Sequence, residues 1–178
     1  MSVNLEVLRG METFTGLKDH ELESMAAIAE PVGFKKGATV FEQGDPSDAM
    51  YLIVTGKVKV IKGGGGKKHL RNVAELGPGD VLGEMGILLD EPRTATATAT
   101  SACELLRIRR AAFHKLRTKH DPGACKVAFN LGRLVAMRLR DLNNALVGIV
   151  EQGDPKGNLP AAELKQLRER FFKQGFTI

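Results

Sequence analysis

The chain is short of cysteine, has no long apolar run and carries no recognisable catalytic motif, and each shortage removes a class of protein. Its two cysteines, Cys103 and Cys125, have no Cys or His at ligand spacing, so neither a disulfide scaffold nor a metal knuckle is expected. Both read as ordinary buried or half-buried thiols. No stretch approaches the roughly 20 consecutive apolar residues that a membrane helix requires. The start, Met1-Ser-Val-Asn-Leu-Glu-Val-Leu-Arg-Gly10, lacks the basic region, apolar run and small-residue cleavage site of a secretory signal. A cytoplasmic protein without membrane contact is the expectation. No nucleophile stands with a histidine and an acid in motif context, and His20, His69, His114 and His120 are scattered. They are expected at the surface, and no enzyme is predicted.

What is present is an ordinary globular composition: 178 residues, enough for one buried core with a short appendage. The net charge of +5 suits an anionic partner without choosing among a nucleotide, a nucleic acid and an acidic protein face. From Arg107 to Arg140 the basic residues are opposed in sequence only by Asp121, and this stretch reads as a solvated helix face in preference to a binding patch.

Leu5, Leu8, Met11, Phe14, Leu17, Leu22, Met25 and Ile28 recur at spacings of three to five, which predicts short amphipathic helices up to Pro31. From Val32 the period shortens. Val40-Phe41, Met50 to Val54, Val58 to Ile61 and Leu70 to Leu76 are β-type runs. They are separated by turn signals at Lys36-Gly37, Gln43 to Pro46, Thr55-Gly56, Gly63 to Gly66 and Gly77 to Asp80. Short strands at regular spacing predict an α+β fold: an antiparallel β-barrel of the double-stranded β-helix, or jelly-roll, kind, flanked by N-terminal helices and a long C-terminal helix. A helix over 111–119 should stop near Asp121-Pro122-Gly123, and the next, from about Cys125 to Gln152, aligns Leu131, Val135, Leu139, Leu142, Leu146 and Ile149. The expected organisation is a helical segment over 1–30, the barrel and its C-terminal helices over 31–152, and a linker with a short amphipathic helix over 153–178.

The segment from Gly83 to Thr100 carries the chemistry. Pro92-Arg93 opens the alternating run Thr94-Ala-Thr-Ala-Thr-Ala-Thr100, which as a strand puts Arg93, Ala95, Ala97 and Ala99 on one face and the threonines on the other. Arg93 would then project from a face cleared of bulk, open to a phosphodiester. Gly83 and Gly86 permit close backbone approach, Ile87 to Leu89 permit one helical turn, and the N–H groups at the start of the Met85 to Leu88 turn can face an anion. Glu84 cannot favour phosphate, but it can accept a hydrogen bond from a sugar hydroxyl. An anion clamp beside a ribose acceptor indicates a nucleotide.

This pattern resembles the phosphate-binding cassette of the cyclic-nucleotide-binding domains of catabolite activators, cyclic-nucleotide-dependent kinases and cyclic-nucleotide-gated channels. The resemblance extends through Phe41-Glu-Gln-Gly-Asp45, Met50 to Val60 and Leu76-Gly-Pro-Gly-Asp80, and covers about Phe14 to Glu151. It implies that Glu84 holds the ribose 2′-hydroxyl and Arg93 the exocyclic phosphate oxygens, with N–H groups around Gly86, Ile87 and Ala95 completing the shell. Leu82 stands where an aromatic residue is common in the family and Gly86 where many members carry alanine. Asp90 and Glu91 would weaken phosphate binding slightly if they lay close by. Thr94 leaves the purine open: in similar kinases a hydroxyl there favours guanine, and in bacterial activators it is compatible with cAMP. The expected ligand is cAMP, with cGMP close behind, and no cofactor is implied. Asn143 and Asn144 lie where the family's long helix passes the base and could read either purine edge; an exposed polar break in the helix stripe is the alternative.

The function expected is a regulatory module that couples cyclic-nucleotide binding to a helix rearrangement and a protein contact, with a homodimer or a partner docked through the C-terminal helices. A nucleotide-free dimerisation or adaptor module is one alternative. A fragment of a catabolite-activator-like transcription regulator is another; as it stands, the tail after Glu151 offers one short helix, and direct DNA binding is not expected.

Overall fold

A computed structural model describes residues 3–63 and 70–153. The chain divides into two compact units, Met1–Leu134 and Val135–Ile178. In the first, helices α1 (Leu5–Arg9) and α2 (Asp19–Ala26) precede strands β1 (Ala29–Phe34), β2 (Thr39–Phe41), β3 (Ala49–Thr55), β4 (Val58–Gly63), β5 (Leu70–Leu76) and β6 (Val81–Leu82). A short helix α3 (Glu84–Leu89), strands β7 (Thr96–Ala99) and β8 (Cys103–Arg109) and helix α4 (Arg110–Thr118) follow. Helix α5 (Pro122–Gly153) starts at Pro122, whose missing N–H costs nothing in a first turn. The linker and tail helix expected over 153–178 fall, past Gly153, outside the described residues.

The strands form two four-stranded antiparallel sheets, ordered β1-β8-β3-β6 and β2-β7-β4-β5. Apart from the β4–β5 hairpin, successive strands along the chain alternate between the two sheets, the interleaved order of an eight-stranded jelly roll. The expected α+β class stands. Helical structure ends at Ala26 rather than reaching Pro31, and β1 begins at Ala29. Pro31 is accommodated because β1 is an edge strand, paired only with β8, so its lack of an N–H breaks no central ladder.

Strand β3 explains its own continuous apolar run. Met50 and Leu52 pack with α1, α2, α4 and α5 through Leu8, Met25, Phe113 and Leu131. Ala49, Tyr51 and Ile53 face the other way, into a second core with Val58, Ala97, Ala99 and Leu105 between the sheets. Burying each such side chain contributes about 1.5–3 kcal/mol. Strand β8, which sequence reading passed over, uses the same alternation, with Leu106 and Ile108 on the helical side and Cys103 and Leu105 on the inner side.

The basic stretch is paired from other elements rather than simply solvated. Arg107 and Arg109 both hold Glu30, Arg110 holds Asp90, Lys126 holds the buried Glu21, and Arg133 reaches Glu12. His20 and His120 are exposed and His114 is half-buried, while His69 lies outside the described residues. Cys103 is buried, but Cys125 is exposed on α5, contrary to the expectation of burial, because the helix turns Ala124 and Val127 inward instead.

Candidate nucleotide-binding site

The cassette is assembled by a backbone clip. The Arg93 N–H donates to the Asp45 carbonyl and the Arg93 carbonyl accepts from the Gly44 N–H, both at 2.8 Å. The turn predicted at Gln43 to Pro46 thus fixes the arginine. The Gln43 side chain ties the same turn to the end of β4 through the Gly63 N–H and carbonyl.

Arg93 does not begin the strand as expected. The β7 ladder starts at Thr96, after a bend at Thr94-Ala95. Ala97 and Ala99 do face inward, 0% and 1% exposed. Arg93 is 5% exposed, and its surroundings are aromatic rather than cleared of bulk: the guanidinium carbon lies 4.2 Å from the centre of the Phe41 ring and 5.9 Å from that of Tyr51. Its Nη2 donates to Asp48 Oδ1 at 3.3 Å. Burial lowers the Arg93 pKa, opposed by Tyr51 and Asp48, and burial with Asp48 raises that of Tyr51.

Gly83 and Gly86 are each approached closely by a side chain of the protein itself. Gly83 caps α3 with φ 76°, and a Cβ on it would lie 2.4 Å from Arg93 Nη1. The cassette start therefore rests directly on the guanidinium. A Cβ on Gly86 would lie 2.1 Å from Ser47 Cβ. Glu84 is 8% exposed and engaged within the fold. Ile87 is buried in the helical core, while Met85, Thr94 and Ala95 are half-buried. At the far end of α3, Asp90 adopts φ 59° and pairs with Arg110.

Among the described residues, three buried side-chain polar atoms have no hydrogen-bond partner: Arg93 Nε, Arg93 Nη1 and Ser47 Oγ. Arg93 Nη1 sits against Gly83 and Ser47 Oγ against Gly86. A cleft of about 520 Å³ opens beside them, lined by residues that include Gly44, Ser47, Asp48, Asp90, Pro92 and Arg110. Neither Glu84 nor Arg93 lines it, so the cleft is not the place where the predicted ligand groups converge. Asn143 and Asn144 lie on α5 in the second unit, half-buried and exposed respectively. Phe41, Tyr51, Ser47 and Asp48 were not singled out from the sequence. Ser47 and Asp48 lie just past the turn read at Gln43 to Pro46, and the two aromatics read as parts of β-type runs.

Fold and site together define a jelly roll in which a buried arginine with two unpaired nitrogens lies against the glycine that caps a short helix. The chain belongs to the cyclic-nucleotide-binding domain family, whose model matches residues 31–120. It is 31% identical over 170 residues to a CRP-like cAMP-activated global transcriptional regulator of Mycobacterium tuberculosis, covering 95% of this chain and 72% of the relative. Over 115 residues it is 36% identical to a cAMP-dependent protein kinase regulatory subunit of Dictyostelium discoideum, covering 62% of this chain and 35% of that one. The crystal structure of the Thermus thermophilus catabolite activator protein matches with TM-score 0.68 at 32% identity, over 78% of this chain and 63% of its own. The chain thus spans less than two thirds of that solved structure.

Proposed function

We propose that the chain is a cyclic-nucleotide receiver that binds cAMP, with cGMP close behind, at the cassette from Gly83 to Ala95. In this reading Arg93 donates its two unused N–H groups to the cyclic phosphate and Glu84 accepts from the ribose 2′-hydroxyl. Backbone N–H groups of Gly86, Ile87 and Ala95 complete the shell. The observation that carries it is the state of Arg93: a guanidinium taken out of water with Nε and Nη1 unpaired. Desolvating two donors without partners is unfavourable, and an entering phosphate removes that penalty.

Both nitrogens are sealed from solvent and Gly83 lies on Nη1, so a phosphate reaches them only if the start of α3 moves. Ligand binding is thereby coupled to the cassette, and through Asp90 and Arg110 to α4. Couplings of this kind commonly amount to about 1–3 kcal/mol. The output we assign is a protein contact through the C-terminal helices, a homodimer or a partner. Phe129, 72% exposed, stands with exposed Cys125 and Gly132 on one side of α5 and supports it. The names of the mycobacterial and Dictyostelium relatives, both cAMP-linked, support the ligand.

Isothermal titration of the intact chain with cAMP and cGMP tests this. Arg93→Ala should abolish the heat, and no binding to the intact protein at millimolar nucleotide overturns the reading. A second reading, part of a transcription regulator, is favoured by the match of 95% of the chain to the mycobacterial protein. Ligand-dependent, sequence-specific retardation of DNA at physiological salt distinguishes it.

A further inference from the structure

Ser47 lies in the loop before β3, is 8% exposed and leaves its hydroxyl without a partner. Its side chain fills the hollow in front of Gly86: a Cβ there would fall 2.1 Å from Ser47 Cβ and 2.5 Å from Oγ. The neighbouring residue, Asp48, holds Arg93 through its carboxylate and accepts the Arg110 N–H at its carbonyl. Residues 47 and 48 therefore touch the cassette helix, the phosphate-binding candidate and the start of α4.

A buried hydroxyl without a partner destabilises a fold and is retained where it is satisfied in another state. The two other unpartnered atoms belong to Arg93, whose pairing requires α3 to shift. Ser47 contacts α3 at Gly86, so the same shift changes its surroundings. We propose that Ser47 is a positioning residue of the cyclic-nucleotide site: it acts through Gly86 to set how deep the first turn of α3 sits, and its hydroxyl gains its hydrogen bond when the ligand is bound. The proposal rests on the cyclic-nucleotide reading given above.

The test pairs titration with cAMP and cGMP with thermal melting of the free protein, for wild type, Ser47→Ala, Gly86→Ala and the exchange Ser47→Gly/Gly86→Ala. Ser47→Ala should leave the free protein's melting temperature unchanged or raise it, because no hydrogen bond is lost. Its nucleotide Kd should rise by about 5- to 20-fold, the usual effect of one lost hydrogen bond. Gly86→Ala should weaken binding further through the overlap with Ser47, and the exchange should bring affinity back to the level of Ser47→Ala. A packing role alone would not separate affinity from stability in this way.

Ser47→Ala affinity within twofold of wild type overturns the proposal and leaves cyclic-nucleotide binding standing. A melting temperature lowered by several degrees overturns it as well, since the hydroxyl would then be bonded in the free protein. Failure of the intact chain to bind either nucleotide removes both the proposal and the reading beneath it.

Discussion

Arg93 lies face-on to Phe41, guanidinium carbon 4.2 Å from the ring centre, so an aromatic from β2 holds the cassette's cation before any phosphate does. A desolvated cation–π contact of this kind is worth about 1–2 kcal/mol. Phe41→Leu keeps the apolar volume and loses the ring. Cyclic-nucleotide affinity is expected to fall by about tenfold, with the circular dichroism spectrum unchanged. Equal affinities in a titration would remove Phe41 from the site.

Gly83 carries two constraints at once, the left-handed φ of 76° and the Arg93 Nη1 atom 2.4 Å from any Cβ, with the Ala49 carbonyl at 3.2 Å. Gly83→Ala should destabilise the free protein by about 1–3 kcal/mol, a drop of several degrees in Tm. It should also displace Arg93 and abolish nucleotide binding. A variant that melts and binds like wild type contradicts the packing described.

Glu21 is held below the usual glutamate range, first by its hydrogen bond from Lys126 and then by the Lys18 N–H. Because its folded pKa is depressed, its contribution is complete above the unfolded value of about 4.3 and is lost as pH falls through the folded one. The Tm difference between wild type and Glu21→Gln should be constant from about pH 8 to 5 and shrink below about 4. Glu30, lowered first by Arg109 and then by Arg107, should behave alike. A difference that grows in acid reverses the assignment.

Phe129 is 72% exposed on α5, where a charge costs a monomer nothing. If the chain pairs through that helix, Phe129→Asp should turn a dimer into a monomer in sedimentation equilibrium while leaving Tm at high dilution unchanged. A wild type that is monomeric at tens of micromolar, with and without nucleotide, argues against a homodimer.

Most of the scaffold was legible because turns announce strands. The glycines at 37, 44, 56 and 79 mark chain reversals by their positive φ, and the runs between them became β2 to β5. Pro31 misled, since a proline ends a helix and also fits an edge strand, and only the pairing partner tells which. Glu84, Arg93, Gly83 and Gly86 were legible as a local group. The aromatic bed of Arg93, the Asp48 clamp and the Ser47–Gly86 contact were not, because each joins residues on different strands and loops, and no periodicity encodes them.

From Ala49 to Ile53 the register of β3 on β8 pairs even positions with even, Leu52 with Leu106 and Met50 with Ile108, and odd with odd, Ile53 with Leu105. Met50, Leu52, Leu106 and Ile108 meet the helices, and Ala49, Tyr51, Ile53, Cys103 and Leu105 meet the space between the sheets. Parity therefore sorts substitutions at these apolar positions: an even one changes the packing against the helices, and an odd one changes the core that holds Tyr51 near Arg93. The two cores can change on alternate letters of the same two strands.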